Sequence, residues 1–241
     1  MFGQFLELSV VASPLAPAFE FYGALGFRPL VSGDLLASPY VALFDGNIVI
    51  GLHDRDAPAS QLTFVRPQLR DYVRAIRRLD IELDYLHLAD DEFHRLGFSC
   101  PDGHAVGMVE ARTCAPGVWD ASNVPACGRF LEYSLPVDSL DAARTFWSRL
   151  GFEVVAAGES EHRWARLQGH GLTLGLHEAR FRPGLTFRCE QLDARLEYLR
   201  AKGLELKAGS VLSPDKRSSA TLAAPEGSML YLLDAGMEEP G

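Results

Sequence analysis

The sequence predicts an α+β protein built as two similar halves, each made of two units of the order strand, helix, strands. Three observations carry this. FLELS from Phe5 and FYGALGF ending at Phe27 return about 125 residues later as FLEYS from Phe130 and FWSRLGF ending at Phe152. Each copy reads as an alternating strand followed by a helix that glycine closes, Gly26 or Gly151, where a left-handed cap favours a residue without Cβ. Each copy also carries a carboxylate in mid-strand, Glu7 and Glu132. A repeat on this scale takes precedence over other architectural signals.

Taken in order, the first strand spans Phe5 to Val10, with Leu6, Leu8 and Val10 on one face and Phe5, Glu7 and Ser9 on the other. A helix follows from Ala16 to Leu25. Hairpin strands Tyr40 to Phe44 and Asn47 to His53 meet at Asp45-Gly46, a strong tight-turn signal. Gln61 to Val65 is the next strand, and Leu69 to Leu79 a helix whose arginines form a wet face. Strands Leu96 to Cys100 and Ala105 to Val109 turn at Pro101-Asp102-Gly103. Residues 113–127, rich in Pro, Ala, Gly and Ser, link a first domain of residues 1–112 to a second of residues 128–236.

The second half repeats the order. Phe130 to Leu135 is a strand, and Asp138 or Ser139 caps a helix to Leu150. Arg163 to Leu167 and Leu172 to His177 form a hairpin around Gly169-His170-Gly171. Leu185 to Cys189 is a strand and Leu192 to Lys202 a helix. Ala220 to Ala223 and Met229 to Leu233 turn at Pro225-Glu226-Gly227.

Composition narrows the partners. Among 241 residues, 47% are apolar and 23% charged, the balance of an ordinary globular chain. A net charge of -9 leaves no basic footprint for nucleic acid or anionic membrane, which excludes both. MFGQFLELSVVASP has no basic segment ahead of an apolar core, and no apolar run approaches the roughly 18 residues of a membrane span, so a cytoplasmic location is expected. Cys100, Cys114, Cys127 and Cys189 lack CxxC spacing and are expected as free thiols; Cys114 and Cys127, both in the linker, are the one pair placed for a reversible bridge.

Four successive βαβββ-like units, with LGF closing the first helix of each half and PDG or PEG before its last strand, resemble the vicinal oxygen chelate superfamily. That group includes glyoxalase I, bleomycin-resistance proteins, fosfomycin-resistance enzymes and extradiol dioxygenases. The resemblance implies two glyoxalase-like half-barrel domains forming an internal pseudo-dimer, with a divalent metal on each concave face. It places a metal ligand at Glu7, and by the same count at Glu132. The remaining ligand positions fall at Gly51, Gln61 and Gly107 in the first half and at Gly175, Gly184 and Tyr231 in the second, where no strong ligand stands. Extradiol dioxygenases carry a histidine where Glu132 stands, which argues against that activity.

A divalent ion needs about three or four His or carboxylate groups converging on one point. His53 and His177 lie two residues beyond the lost ligand positions on the same strand face, which permits a swapped set of Glu7, His53 and Gln61, or Glu132 and His177. The same residues also permit a Glu–His pair inside an apolar pocket, where the partner offsets the desolvation of the carboxylate. Phe5, Tyr40, Phe130, Trp164 and Tyr231 have the parity of a cavity lining, and Arg166 and Arg188 bring positive charge to the second cavity alone. His87, His94, His104, His162 and His170 fall in turns or on the outer parity and are expected at the surface.

The reading that follows is a monomer or homodimer that binds a small organic molecule without a complete metal site, as bleomycin-resistance proteins do. The rival is a glyoxalase-like lyase or isomerase, or a dioxygenase, metal-dependent or metal-free, in which Glu7 or Glu132 is a ligand or general base.

Overall fold

The structure, a computed structural model, describes residues 2–30, 39–54, 60–90, 93–111, 125–213 and 218–236. The Cys114–Cys127 pairing and most of the linker at 113–127 lie outside them.

In the first half the order is β1 (Gln4–Val11), α1 (Leu15–Ala24), β2 (Arg28–Pro29), β3 (Tyr40–Phe44) and β4 (Val49–His53), then β5 (Ser60–Arg66), α2 (Leu69–Arg77), β6 (Tyr85–His87), β7 (Arg95–Ser99) and β8 (Ala105–Glu110). The second half repeats it with β9 (Arg129–Pro136), α3 (Leu140–Arg149), β10 (Glu153–Gly158), β11 (Trp164–Gly169) and β12 (Leu172–His177), then β13 (Gly184–Cys189), α4 (Leu192–Ala201), β14 (Lys207–Ala208), β15 (Ser219–Ala223) and β16 (Met229–Asp234). Each half forms one eight-stranded sheet, in the orders β2-β3-β4-β1-β5-β8-β7-β6 and β10-β11-β12-β9-β13-β16-β15-β14. Two βαβββ units thus meet in each sheet through an antiparallel seam, β1 with β5 and β9 with β13. None of the described helices is long and apolar enough to cross a membrane.

The helices sit where their sequences place them, within two residues at either end. Ser139 caps α3 by accepting from Ala142 N at 3.4 Å. Four strands escape sequence reading: β2, β6 and β14 span two or three residues, and β10 carries EVVAAG with no alternation. All four are sheet edges.

Strand alternation sorts the residues of β1 until a bulge intervenes. Glu7 opposes Thr63 and Phe5 opposes Phe64, so one extra residue of β1 fits between them. The matching irregularity in β9 puts Glu132 opposite Thr186 and Phe130 opposite Phe187. Residues directly opposed on antiparallel strands share a face, and a bulge of one residue reverses which face that is. Phe5 and Phe130 therefore turn towards the core, with their rings 5.7 Å from Phe64 and 5.9 Å from Phe187, instead of lining the cavity floor with the glutamates.

One apolar core runs through both halves. Phe64 meets Phe152 at 6.4 Å and Phe98 meets Phe146 at 6.4 Å, which joins the helix side of one sheet to the other half. Two histidines expected at the surface belong to this seam. His170 O accepts from Phe5 N at 2.7 Å while the His170 ring lies 5.4 Å from Phe2. His104 Nε2 donates to Pro136 O at 2.9 Å. Local turn chemistry could not show that each turn is covered by the opposite half. Cys100, Cys127 and Cys189 are free and buried.

Candidate functional site

Each concave face is centred on its buried glutamate. Glu7 is 3% exposed and Glu132 2%, so their chemistry is decided by partners rather than by water. The space each needs comes from a glycine on the neighbouring strand: a Cβ on Gly51 would overlap the Glu7 carboxylate, and one on Gly175 would overlap that of Glu132.

Hydrogen bonds then fill the carboxylates. Glu7 Oε1 accepts from Ser9 Oγ at 2.6 Å and His53 Nε2 at 2.7 Å, and Oε2 accepts from the Tyr40 hydroxyl. Glu132 Oε1 accepts from Ser134 Oγ at 2.9 Å and His177 Nε2 at 2.7 Å, and Oε2 from Arg166 Nε at 2.7 Å. Because each serine gives its proton to the carboxylate, the threonine opposite must donate to the serine, Thr63 at 2.7 Å and Thr186 at 2.6 Å. The first chain continues, Gln61 Nε2 donating to Thr63 Oγ1 at 3.2 Å and Tyr85 OH to Gln61 Oε1 at 3.3 Å. The second branches at His177, whose Nδ1 lies 3.0 Å from His162 Nε2. His162, expected at the surface, is thus half-buried against the site, and burial together with His177 holds its pKa below the ordinary value.

Burial alone would push both glutamates up. In Glu7 the hydrogen bond and charge of His53, with Ser9 and Tyr40, outweigh it and leave the pKa lowered. In Glu132 burial is outweighed by His177 and Arg166, and the pKa falls to about 2. Both are ionised at neutral pH.

Of the residues the sequence singled out, Glu7 and His53 meet, as do Glu132 and His177, in each case as a pair rather than as two donors to a third body. Tyr40 comes to Glu7 through its hydroxyl. Arg166 reaches Glu132, while Arg188 stands further along β13, opposite Arg129. Trp164 stacks at 6.5 Å on His177, and its ring lies 5.5 Å from the Arg166 guanidinium. Tyr231 donates to Arg182 O at 2.6 Å, and burial pushes its pKa up to about 12. Sequence reasoning passed over Ser9 and Ser134 as donors to the carboxylates, and Thr63 and Thr186 as donors to those serines. The E-x-S spacing kept in both copies was the available signal.

This donor set does not fit a divalent metal ion. The histidine nitrogen facing each glutamate carries a proton to donate, Gln61 is engaged by Thr63 and Tyr85, and Gly51, Gly107, Gly175 and Gly184 offer no side-chain donor. Among the described residues no three His, Cys, Asp or Glu side chains come together in a way that could hold one.

Beside Arg166 a cavity of about 620 Å³ opens, lined by Arg166, Gln168 and Thr173, by Phe130, Leu131, Val155 and Ala156, and by the glycine-bearing turns of both halves. Although its ring packs towards Phe187, Phe130 therefore borders this space from the end of β9.

No protein-family model matches the chain, and a sequence search of curated proteins finds no match. Solved structures do match in fold. A 2,3-dioxygenase, LapB, from Pseudomonas sp. KL28 aligns with a TM-score of 0.64 and 14% identity over 100% of this chain and 96% of that one. The Mn(II)-bound glyoxalase from Novosphingobium aromaticivorans aligns at 0.62 and 13%, over 98% and 83%. A variant of homoprotocatechuate 2,3-dioxygenase from Brevibacterium fuscum aligns at 0.63 and 13%, over 96% and 71%. Two paired-unit sheets in tandem, matched over nearly the whole chain, give this protein the two-domain fold of these dioxygenases and this glyoxalase.

Proposed function

We propose that the protein binds a small organic molecule on the concave face of its second half, and that it does so without a divalent metal. One observation carries this reading: an open cavity of about 620 Å³ is bordered by Arg166, the cation that, with Ser134 and His177, already fills the oxygens of Glu132. A filled carboxylate is a poor metal ligand. It is also a poor general base, since proton transfer is best served by a pKa near the working pH and Glu132 is held at about 2. The role left to Glu132 is to anchor Arg166 and His177.

The lining suits this task. Phe130, Leu131, Val155 and Ala156 offer apolar surface, while a few polar groups fix orientation, the usual composition of a small-molecule pocket. Sequestration of the bleomycin-resistance kind is the matching activity. A cytoplasmic monomer or homodimer, divided into domains at 1–112 and 128–236, completes the proposal.

Thermal-shift screening of a library of aromatic and alicyclic compounds tests it, run in EDTA and again with added Mn(II) or Fe(II). Stabilisation that persists in EDTA and is lost in Arg166→Met is the expected result. Compounds that stabilise only when metal is present would overturn the reading in favour of a metal-dependent lyase, isomerase or dioxygenase.

A further inference from the structure

The two halves are a built-in comparison, because their hairpins align register by register. Arg166 pairs with Gly175 as Ala42 pairs with Gly51, and Gln168 with Thr173 as Phe44 with Val49. Three polar cavity positions of the second half are thus apolar in the first. On the first sheet's concave face, space is taken by its own side chains: a Cβ on Gly107 would overlap Gln61, and one on Gly97 would overlap Tyr85.

Turns also cross between the halves. Where the second half's turn meets the first, His170 O accepts from Phe5 N and the Gln4 side chain packs beside Gly171, which also borders the cavity. Where the first half's turn meets the second, Gly46 and Asn47 form part of the cavity wall. That turn is held firmly. Buried Asp45 accepts at Oδ1 from Asn47 N and Ile48 N, both at 2.8 Å, and Gly46 takes the positive φ of 106° that the turn requires. Asn47 is left exposed at its tip.

We infer that the site is composite: Asn47 of the first half closes the second half's pocket and selects a flat ligand with an acceptor-rich edge, of which an arylcarboxylate is the simplest form. This rests on the binding proposed above. The edge faces Arg166, Gln168 and Thr173. Arginine has donors only, and the Thr173 hydroxyl, accepting from Gln168 Nε2 at 3.4 Å, keeps its own proton to give. The flat body lies against Phe130, Leu131 and Val155, and the Asn47 amide supplies a further donor from the opposite wall.

Benzoate is the probe, titrated by calorimetry and by the fluorescence of Trp164, which neighbours Arg166. Benzylammonium is the charge-reversed control. Wild type should bind benzoate saturably and benzylammonium not at all. Asn47→Asp, on an exposed turn and checked for an unchanged melting temperature, should weaken benzoate about tenfold by like-charge repulsion. The double variant Gln168→Leu/Thr173→Val should weaken it at least as much. Loss in the double variant with no change in Asn47→Asp would overturn the composite site and leave the binding proposal standing. Absence of saturable binding to wild type, or equal binding in every variant, would sink the binding proposal itself and this inference with it.

Discussion

Replacing Gly175 by alanine tests the packing around Glu132. The added Cβ would overlap the Glu132 carboxylate, which has no room to yield because Ser134, His177 and Arg166 hold it from three directions. Gly175 lies outside the left-handed region, so the substitution brings no backbone strain and its effect is steric. Displacing the carboxylate breaks one or two hydrogen bonds to a charged group at about 1.5–3 kcal/mol each, so a loss of about 1.5–6 kcal/mol is expected. For a chain of this length, 3 kcal/mol lowers the melting temperature by roughly 6–12 °C. Calorimetry and urea unfolding at pH 7 measure it. Gly23→Ala, inside α1 with nothing within 4 Å of the new methyl, is the control and should stabilise by about 0.5–1 kcal/mol. In a Glu132→Ala background the cost of Gly175→Ala should largely vanish, because the clash has gone. A single Gly175→Ala variant within about 0.5 kcal/mol of wild type, inside the range of ordinary surface changes, would refute a pinned carboxylate.

Three further outcomes are expected. Arg166→Met leaves a buried carboxylate with one fewer cation and should cost about 3 kcal/mol at pH 7 by urea unfolding, as a broken buried pair does, with the Glu132 pKa rising by NMR titration. Lowering pH should show the linkage directly. Since the folded pKa of about 2 lies below the ordinary 4.5, Glu132 contributes about 3 kcal/mol that is present above pH 4.5 and lost as pH falls towards 2; the wild-type curve should therefore lose that much more than Glu132→Gln over this window. Tyr22→Phe removes the hydroxyl that donates to Glu226 Oε1 at 2.7 Å across the seam, beside an Oε2 already without a partner among the described residues, and should destabilise by about 1–3 kcal/mol in urea unfolding.

Much of the fold was legible because local signals agreed with one another. The FLE-x-S and LGF repeats gave the tandem layout, Asp45-Gly46 gave the first hairpin, and glycine caps bounded the helices. The edge strands β2, β6 and β14 were too short to show a period, and β10 has small and branched residues on both faces. Strand parity placed Glu7 with His53 and Glu132 with His177 and missed the turn of the Phe5 and Phe130 rings towards the core, since a bulge leaves no mark in composition, although Phe130 still borders the cavity. Partner choice was the least legible feature. Tyr40 and Arg166 do the same job for the two glutamates from positions two residues apart in register, which only the side-chain reach across the strands decides. His162 was hidden for a related reason, being brought to His177 by the turn ahead of β11.

The account rests most directly on whether the two glutamates are filled by protein donors or held for a metal. Elemental analysis of protein purified without chelator or affinity nickel, repeated after incubation with Mn(II), Fe(II), Ni(II) and Zn(II), measures it in wild type, Glu7→Gln and Glu132→Gln. The account predicts well under one ion per chain in every sample, and the same trace in both variants as in wild type. Near-stoichiometric metal in wild type that disappears in Glu7→Gln or Glu132→Gln would contradict it and name the half that binds the ion.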